Sequence, residues 1–168
     1  MRSTLLVVAS LLMLHGSVVM ALDLDKLPKL GDMANKPLLD NVNKSLADQQ
    51  IKDGQFEFKT GKAEFAPGNE KRVSGLMKVL TENSKTLKTA FPKLHVTAEG
   101  HTDADGSAEA NQKLSVARAK TVCAALKAKG MKLPCTPTGI GSSKPLVSPE
   151  KTAADKQRNR RVLVQLAK

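Results

Sequence analysis

The 168-residue chain carries 27 Lys+Arg against 16 Asp+Glu, a formal net charge of +11, and has room for one domain plus a short extra segment. A basic surplus of this size favours acidic partners: nucleic acid, anionic lipid or a carboxylate-rich polymer. With no Trp, no Tyr and 4 Phe, the chain lacks the aromatic platforms on which unpaired bases stack, which sets nucleic acid aside in an exported protein.

Export is what the first residues predict. Arg2 precedes an apolar run from Leu5 to Met20, and Val19 and Ala21 are small residues at the positions a signal peptidase prefers. Residues 1–21 therefore read as a secretory signal cleaved after Ala21. His15 and Gly16 interrupt the run, which falls short of the ~20 apolar residues of a membrane span. No later segment is apolar enough to cross a membrane.

Residues 22–50 hold 4 Lys against 5 Asp and read as a tether, available for docking on another envelope protein. Within it, Leu38, Leu39, Val42 and Leu46 fall at helical spacing and allow a short helix over 38–50. From Ile51 on, 22 Lys+Arg face 11 Asp+Glu, so the positive charge belongs to the folded part, residues 51–168. There FEFKTGKAEF alternates as a strand with one buried face. Val73, Leu76, Met77, Leu80, Leu87 and Phe91 then share one face of a long helix stopped by Pro92. LHVTAEG predicts a second strand. Ser107 is placed to cap a helix of about twenty residues ending at Gly130. A third strand near 136–140 leads into the loop GSSKPLVSPEK, and RRVLVQL makes the last strand, with Arg161 read as a solvated strand residue. The order β-α-β-α-β-loop-β predicts an α/β (α+β) sandwich, with the helices packed on one face of a mixed four-stranded sheet.

Cys123 and Cys135 are the 2 cysteines of the chain. In an oxidising compartment they predict one disulfide, and a pair alone falls short of the about four ligands of a structural zinc.

The densest chemistry lies in residues 97–106, TAEGHTDADG, which gather Glu99, His101, Thr102, Asp103 and Asp105. Zinc wants about three or four ligands, yet the other histidines are His15, in the signal, and His95, on the preceding strand. As an acid/base pair, Asp103 and Asp105 stand beside no nucleophile or oxyanion donor that the sequence can place, so no enzyme is expected. A binding site fares better. Asn111, Leu114 and Arg118 stand at i, i+3 and i+7 on the following helix and share a face. Helical side chains lean toward the N-terminus, so Arg118 reaches back toward Asp103. An acceptor beside a guanidinium suits a ligand with both an ammonium and a carboxylate. The two residues can equally pair with each other, and at this point both readings stand.

EGHTDADG, then Asn111, then LSVARA, then NRRV near the C-terminus together resemble the OmpA C-terminal-like peptidoglycan-binding family, which includes Pal and MotB. The resemblance covers roughly Gln55 to Leu166 and rests on four motifs in the family's order. It implies a periplasmic β/α sandwich, associated with the outer membrane in some members, that binds the meso-diaminopimelate of the cell-wall stem peptide with no cofactor and no covalent step. Carried over position by position, it makes Asp103 the acceptor for the diaminopimelate amine and Arg118 the partner of its carboxylate. Asn111 and Thr102 become supporting polar contacts, Leu114 an apolar floor, Arg160 a rim residue, and His101 and Glu99 scaffold. Two stretches depart from the family pattern: Lys59 stands where many members have Asp, and AADKQ precedes NRR where Gly-Arg is common. These departures keep a second reading in view, a scaffold or assembly subunit of an envelope, secretion or motility complex with weak or no peptidoglycan binding.

Overall fold

The computed structural model describes residues 30–168; the expected signal and the start of the tether lie outside the described residues. The order is α1 (Leu30–Asp53), α2 (Asn69–Ala90), β1 (His95–His101), α3 (Ala108–Ala128), β2 (Cys135–Gly141), α4 (Ala153–Asn159) and β3 (Val162–Ala167). Among the described residues the sheet has three strands in the order β2-β1-β3. β1 pairs β2 in parallel, Val96 against Cys135, and β3 antiparallel, Val96 against Leu166. The sheet is mixed and carries helices, as expected.

Alternation along β1 buries Val96, Ala98 and Gly100, and α3 lies over the β1–β2 pair. Glycine is required at this contact. A Cβ on Gly100 would sit 2.1 Å from the Ser115 carbonyl oxygen, and one on Gly139 would sit 2.4 Å from Ser115 Oγ. The close approach lets Ser115 Oγ accept a hydrogen bond from Gly141 N at 3.0 Å, locking the helix to the strand that it covers. Lower down α3, Cys123 is joined to Cys135 at the start of β2, Cα–Cα 5.8 Å.

The fourth strand expected from FEFKTGKAEF is not part of the sheet. Phe58 and Phe65 form one isolated bridge, supported by Lys59 N donating to Glu64 O and Ala66 N to Glu57 O. The alternation was a burial signal: Phe56 and Phe65 stack at 5.6 Å, Phe58 and Phe65 meet at 5.3 Å, and Pro67-Gly68 ends the pairing before a ladder can grow.

A helix takes the sheet edge instead. From Leu30 the stretch read as a tether is the 24-residue α1, longer than the short helix expected, and its Leu39, Val42 and Leu46 join the core. Asn43 and Gln50, two turns apart on α1, present their amides to β3. Leu166 N donates to Asn43 Oδ1 at 2.7 Å and Val164 N to Gln50 Oε1 at 2.8 Å, while each amide nitrogen donates back to the carbonyl of the same residue at 3.0 Å. Backbone groups that a fourth strand would have paired are thereby satisfied, and an exposed edge is closed.

Candidate functional site

β1 ends by delivering Thr102 and Asp103, both buried, into the acidic loop. Gly106 turns the chain at φ +88°, a left-handed conformation that side chains disfavour, and Ser107 Oγ then accepts from Ala110 N at 3.1 Å to cap α3. Asn111, in the first turn, donates its amide to Asp105 O at 2.9 Å and to Asp103 O at 3.4 Å. It pins the loop's backbone and leaves the carboxylates outward.

Arg118 lies two turns further and is 3% exposed. Its Nε donates to Lys62 O at 3.1 Å, and the guanidinium lies over the Phe58 ring, 5.1 Å from the centroid. Among the described residues its two terminal nitrogens have no hydrogen-bond partner. Burial, and then repulsion from Arg160, hold this guanidinium below its ordinary pKa, with Asp103 acting the other way. The Thr102 hydroxyl is likewise buried and without a partner among the described residues.

The opposite wall is α4, which AADKQ helps to build. Thr152 and Asp155 cap it reciprocally, with Asp155 N donating to Thr152 Oγ1 and Thr152 N to Asp155 Oδ2. Lys156 reaches across to both Asp105 oxygens at 2.7 and 2.8 Å, and that contact raises the lysine's pKa. Arg160 Nη1 donates to Asp103 Oδ2 at 2.6 Å and Nη2 to Gln157 Oε1 at 2.5 Å. Asp103 therefore pairs with Arg160, not with Arg118.

These walls enclose a cavity of about 410 Å³, and Thr102, Asp103, Asn111, Leu114, Arg118 and Arg160 all line it. Phe58 and Gln157 line it too and were not foreseen, and Asp105, weighed in the sequence only as half of an acid/base pair, joins them. Thr-Ala-Ala-Asp at 152–155, a helix-start signature, could have revealed α4. Lys59 points elsewhere and pairs with Glu64 at 2.8 Å.

Two neighbours serve the frame. His101 is buried, with Nε2 3.0 Å from Glu99 Oε1 but without hydrogen-bond geometry. Burial first, and Arg161 second, depress its pKa, with Glu99 acting the other way, a balance that favours the neutral ring. Arg161 is buried rather than solvated because backbone carbonyls serve it: it donates to Lys144 O at 3.1 Å and Asn159 O at 3.3 Å.

A mixed α/β domain thus carries a half-enclosed cavity in which two arginines face one aspartate, an arrangement suited to holding a charged ligand. The chain belongs to the OmpA family, whose model matches residues 57–160. It is 32% identical over 111 residues to the probable lipoprotein YiaD of Escherichia coli K12, covering 66% of this chain and 47% of that protein. To the outer-membrane lipoprotein YfiB of Pseudomonas aeruginosa it is 44% identical over 70 residues, 41% of each. The chain thus spans under half the length of either relative. Among solved structures, a MotB-like protein of Desulfovibrio vulgaris superposes with a TM-score of 0.55 at 20% identity, over 81% of this chain and 95% of that one. The periplasmic domain of Helicobacter pylori MotB gives 0.54 at 18%, over 67% of each. At such identities the likeness is one of fold. No helix among the described residues is long and apolar enough to cross a membrane.

Proposed function

We propose that this protein binds peptidoglycan non-covalently in the periplasm, taking the meso-diaminopimelate of the stem peptide into the cavity between the β1–α3 loop and α4. The diaminopimelate carboxylate lies on the Arg118 fork and its ammonium on Asp103. Thr102 donates its hydroxyl, Asn111 holds the loop, Leu114 forms the apolar floor and Arg160 the rim. The carrying observation is the donor set of the cavity: the Arg118 fork, whose terminal nitrogens take no protein hydrogen bond among the described residues, beside a Thr102 hydroxyl that is buried and unpartnered. A buried hydroxyl left unpaired is costly, and a carboxylate answers it while meeting the guanidinium fork in bidentate fashion.

A scaffold role in an envelope complex is the second reading. One observation favours it: the Asp103 carboxylate is already engaged by Arg160, so the ammonium has to compete. The two readings separate on wall chemistry. At about 0.15 M salt, where exposed charges are screened beyond about 8 Å, the protein should sediment with diaminopimelate-type sacculi in preference to lysine-type ones, and free meso-diaminopimelate should compete. Equal binding to both walls without competition defeats the pocket and leaves the scaffold.

A further inference from the structure

The far end of the domain carries a different surface. β1 and β2 run in parallel, so the residues preceding both strands gather at one edge of the sheet. At roughly 3.3 Å per residue that edge lies about 20 Å from the loop that follows β1. There α2 and the α3–β2 connection enclose a cleft of about 340 Å³, floored by Leu80, Met131 and Leu133 and rimmed by Lys85, Lys88 and Lys132. Lys93, Lys127 and Lys129, all exposed, stand in the segments leading into the same edge.

None of these six lysines has an ion-pair partner among the described residues; Lys52, Lys78 and Lys120 share that state, but here six such cations are gathered at one edge, whereas Lys44, Lys59, Lys113 and Lys156 each face a carboxylate. For Lys127, Lys129 and Lys132 the cause lies in the sequence, since no Asp or Glu occurs between Ala110 and Pro149. Helix C-termini account for part of the cluster, because a cation in the last turn answers the helix dipole. Lys88 and Lys127 take that place in α2 and α3 and Lys129 is the C-cap of α3, which leaves Lys85, Lys93 and Lys132 outside that account. The Cys123–Cys135 disulfide clamps the base of the connection that carries Lys129 and Lys132, so these charges are held together rather than free to spread.

We propose that this edge docks on a membrane surface rich in anionic phospholipid. Charge spread over several segments suits a field of headgroup phosphates better than a single small anion, and an apolar floor beneath the lysines accommodates the glycerol and first acyl atoms, where a soluble polyanion would find no match. The inference does not depend on the wall-binding reading. With both in force, the domain has its wall pocket at one end and its membrane contact at the other.

Vesicle sedimentation of the exported protein tests this, with phosphatidylglycerol mixed into phosphatidylcholine in one arm and phosphatidylcholine alone in the other. Only the anionic vesicles should carry the protein down. The variant Lys85→Gln/Lys88→Gln/Lys132→Gln should partition about a hundredfold more weakly, as three lysines near an anionic surface imply. A control of equal net charge, Lys36→Gln/Lys44→Gln/Lys113→Gln, should keep most of the binding, and circular dichroism reports whether each variant is folded. No binding to phosphatidylglycerol vesicles, or the same loss in both triple variants, would overturn the proposal.

Discussion

Arg118 is the residue on which the binding argument turns, and Arg118→Ala separates its structural role from its proposed one. In the fold the substitution removes the bond from Nε to Lys62 O and the stack on Phe58. A hydrogen bond from a charged donor contributes about 1.5–3 kcal/mol and a cation over an aromatic face about 0.5–2 kcal/mol. Against this, the variant no longer desolvates a guanidinium or sets it against Arg160, the two causes that lower its pKa. The net loss should be about 1–2 kcal/mol, a fall of a few degrees in Tm for a domain of this size. In binding, removing one partner of a desolvated charge pair costs about 2–5 kcal/mol, which is roughly 30-fold to several-thousand-fold in Kd at 1.4 kcal/mol per decade. Arg118→Lys keeps the charge but loses the fork, and should fall between wild type and alanine. Pelleting with diaminopimelate-type sacculi, read beside thermal melts, gives both quantities. A folded Arg118→Ala variant that pellets like wild type would refute the site, and a lysine variant equal to wild type would refute the bidentate geometry.

Three other expectations concern the frame that holds the pocket. Reducing Cys123–Cys135, 12 residues apart, should cost about 3 kcal/mol on the chain-entropy account and lower Tm; two titratable thiols in the denatured, unreduced protein would contradict the pairing. Gly100→Ala drives a Cβ against the Ser115 carbonyl and should lower the denaturant midpoint by the equivalent of about 1–3 kcal/mol, so an unchanged midpoint would show that α3 does not sit so close. His101 has a depressed folded pKa, so as pH falls through the ordinary 6.5 the unfolded chain takes up a proton that the fold resists, and stability drops. Equilibrium unfolding between neutral pH and pH 5.5 should show that slope, His101→Gln should flatten it, and an unchanged slope in that variant would assign it to other groups.

Periodicity made most of the architecture legible. Val96 and Ala98 alternate and Leu76, Leu80 and Leu87 recur on one face because burial follows the period of a strand or a helix, and the structure buries all five. That Asp103, Asn111 and Arg118 line one cavity follows from local geometry, since Asp103 lies two residues past the end of β1 and the other two share a face of the next helix; Arg160, far along the chain, came only from the family resemblance. The missing pieces depend on partners far along the chain. Asn43 and Gln50 close the edge of β3 across sequence separations of 123 and 114 residues, and on α1 they look like ordinary surface amides. Arg161 is buried because two carbonyls serve it, and backbone acceptors leave no mark in side-chain pattern.

The Asp103–Arg160 pair bears on how the proposed ligand would be selected. An ammonium arriving at Asp103 exchanges one cation for another, so the carboxylate is paired before and after, and the net gain from that contact is small. The carboxylate arriving at Arg118 meets two terminal nitrogens that take no protein hydrogen bond among the described residues and a buried, unpartnered Thr102 hydroxyl, so it displaces no protein acceptor. Affinity should therefore follow the carboxylate, and discrimination should follow the ammonium, because a ligand lacking it leaves Arg160 on Asp103 and has to fit beside an intact α4 wall. Lys156 on Asp105 and Gln157 on Arg160 hold that wall from both sides. The stretch that departs most from the family pattern is thus the one placed to set how readily Asp103 is released.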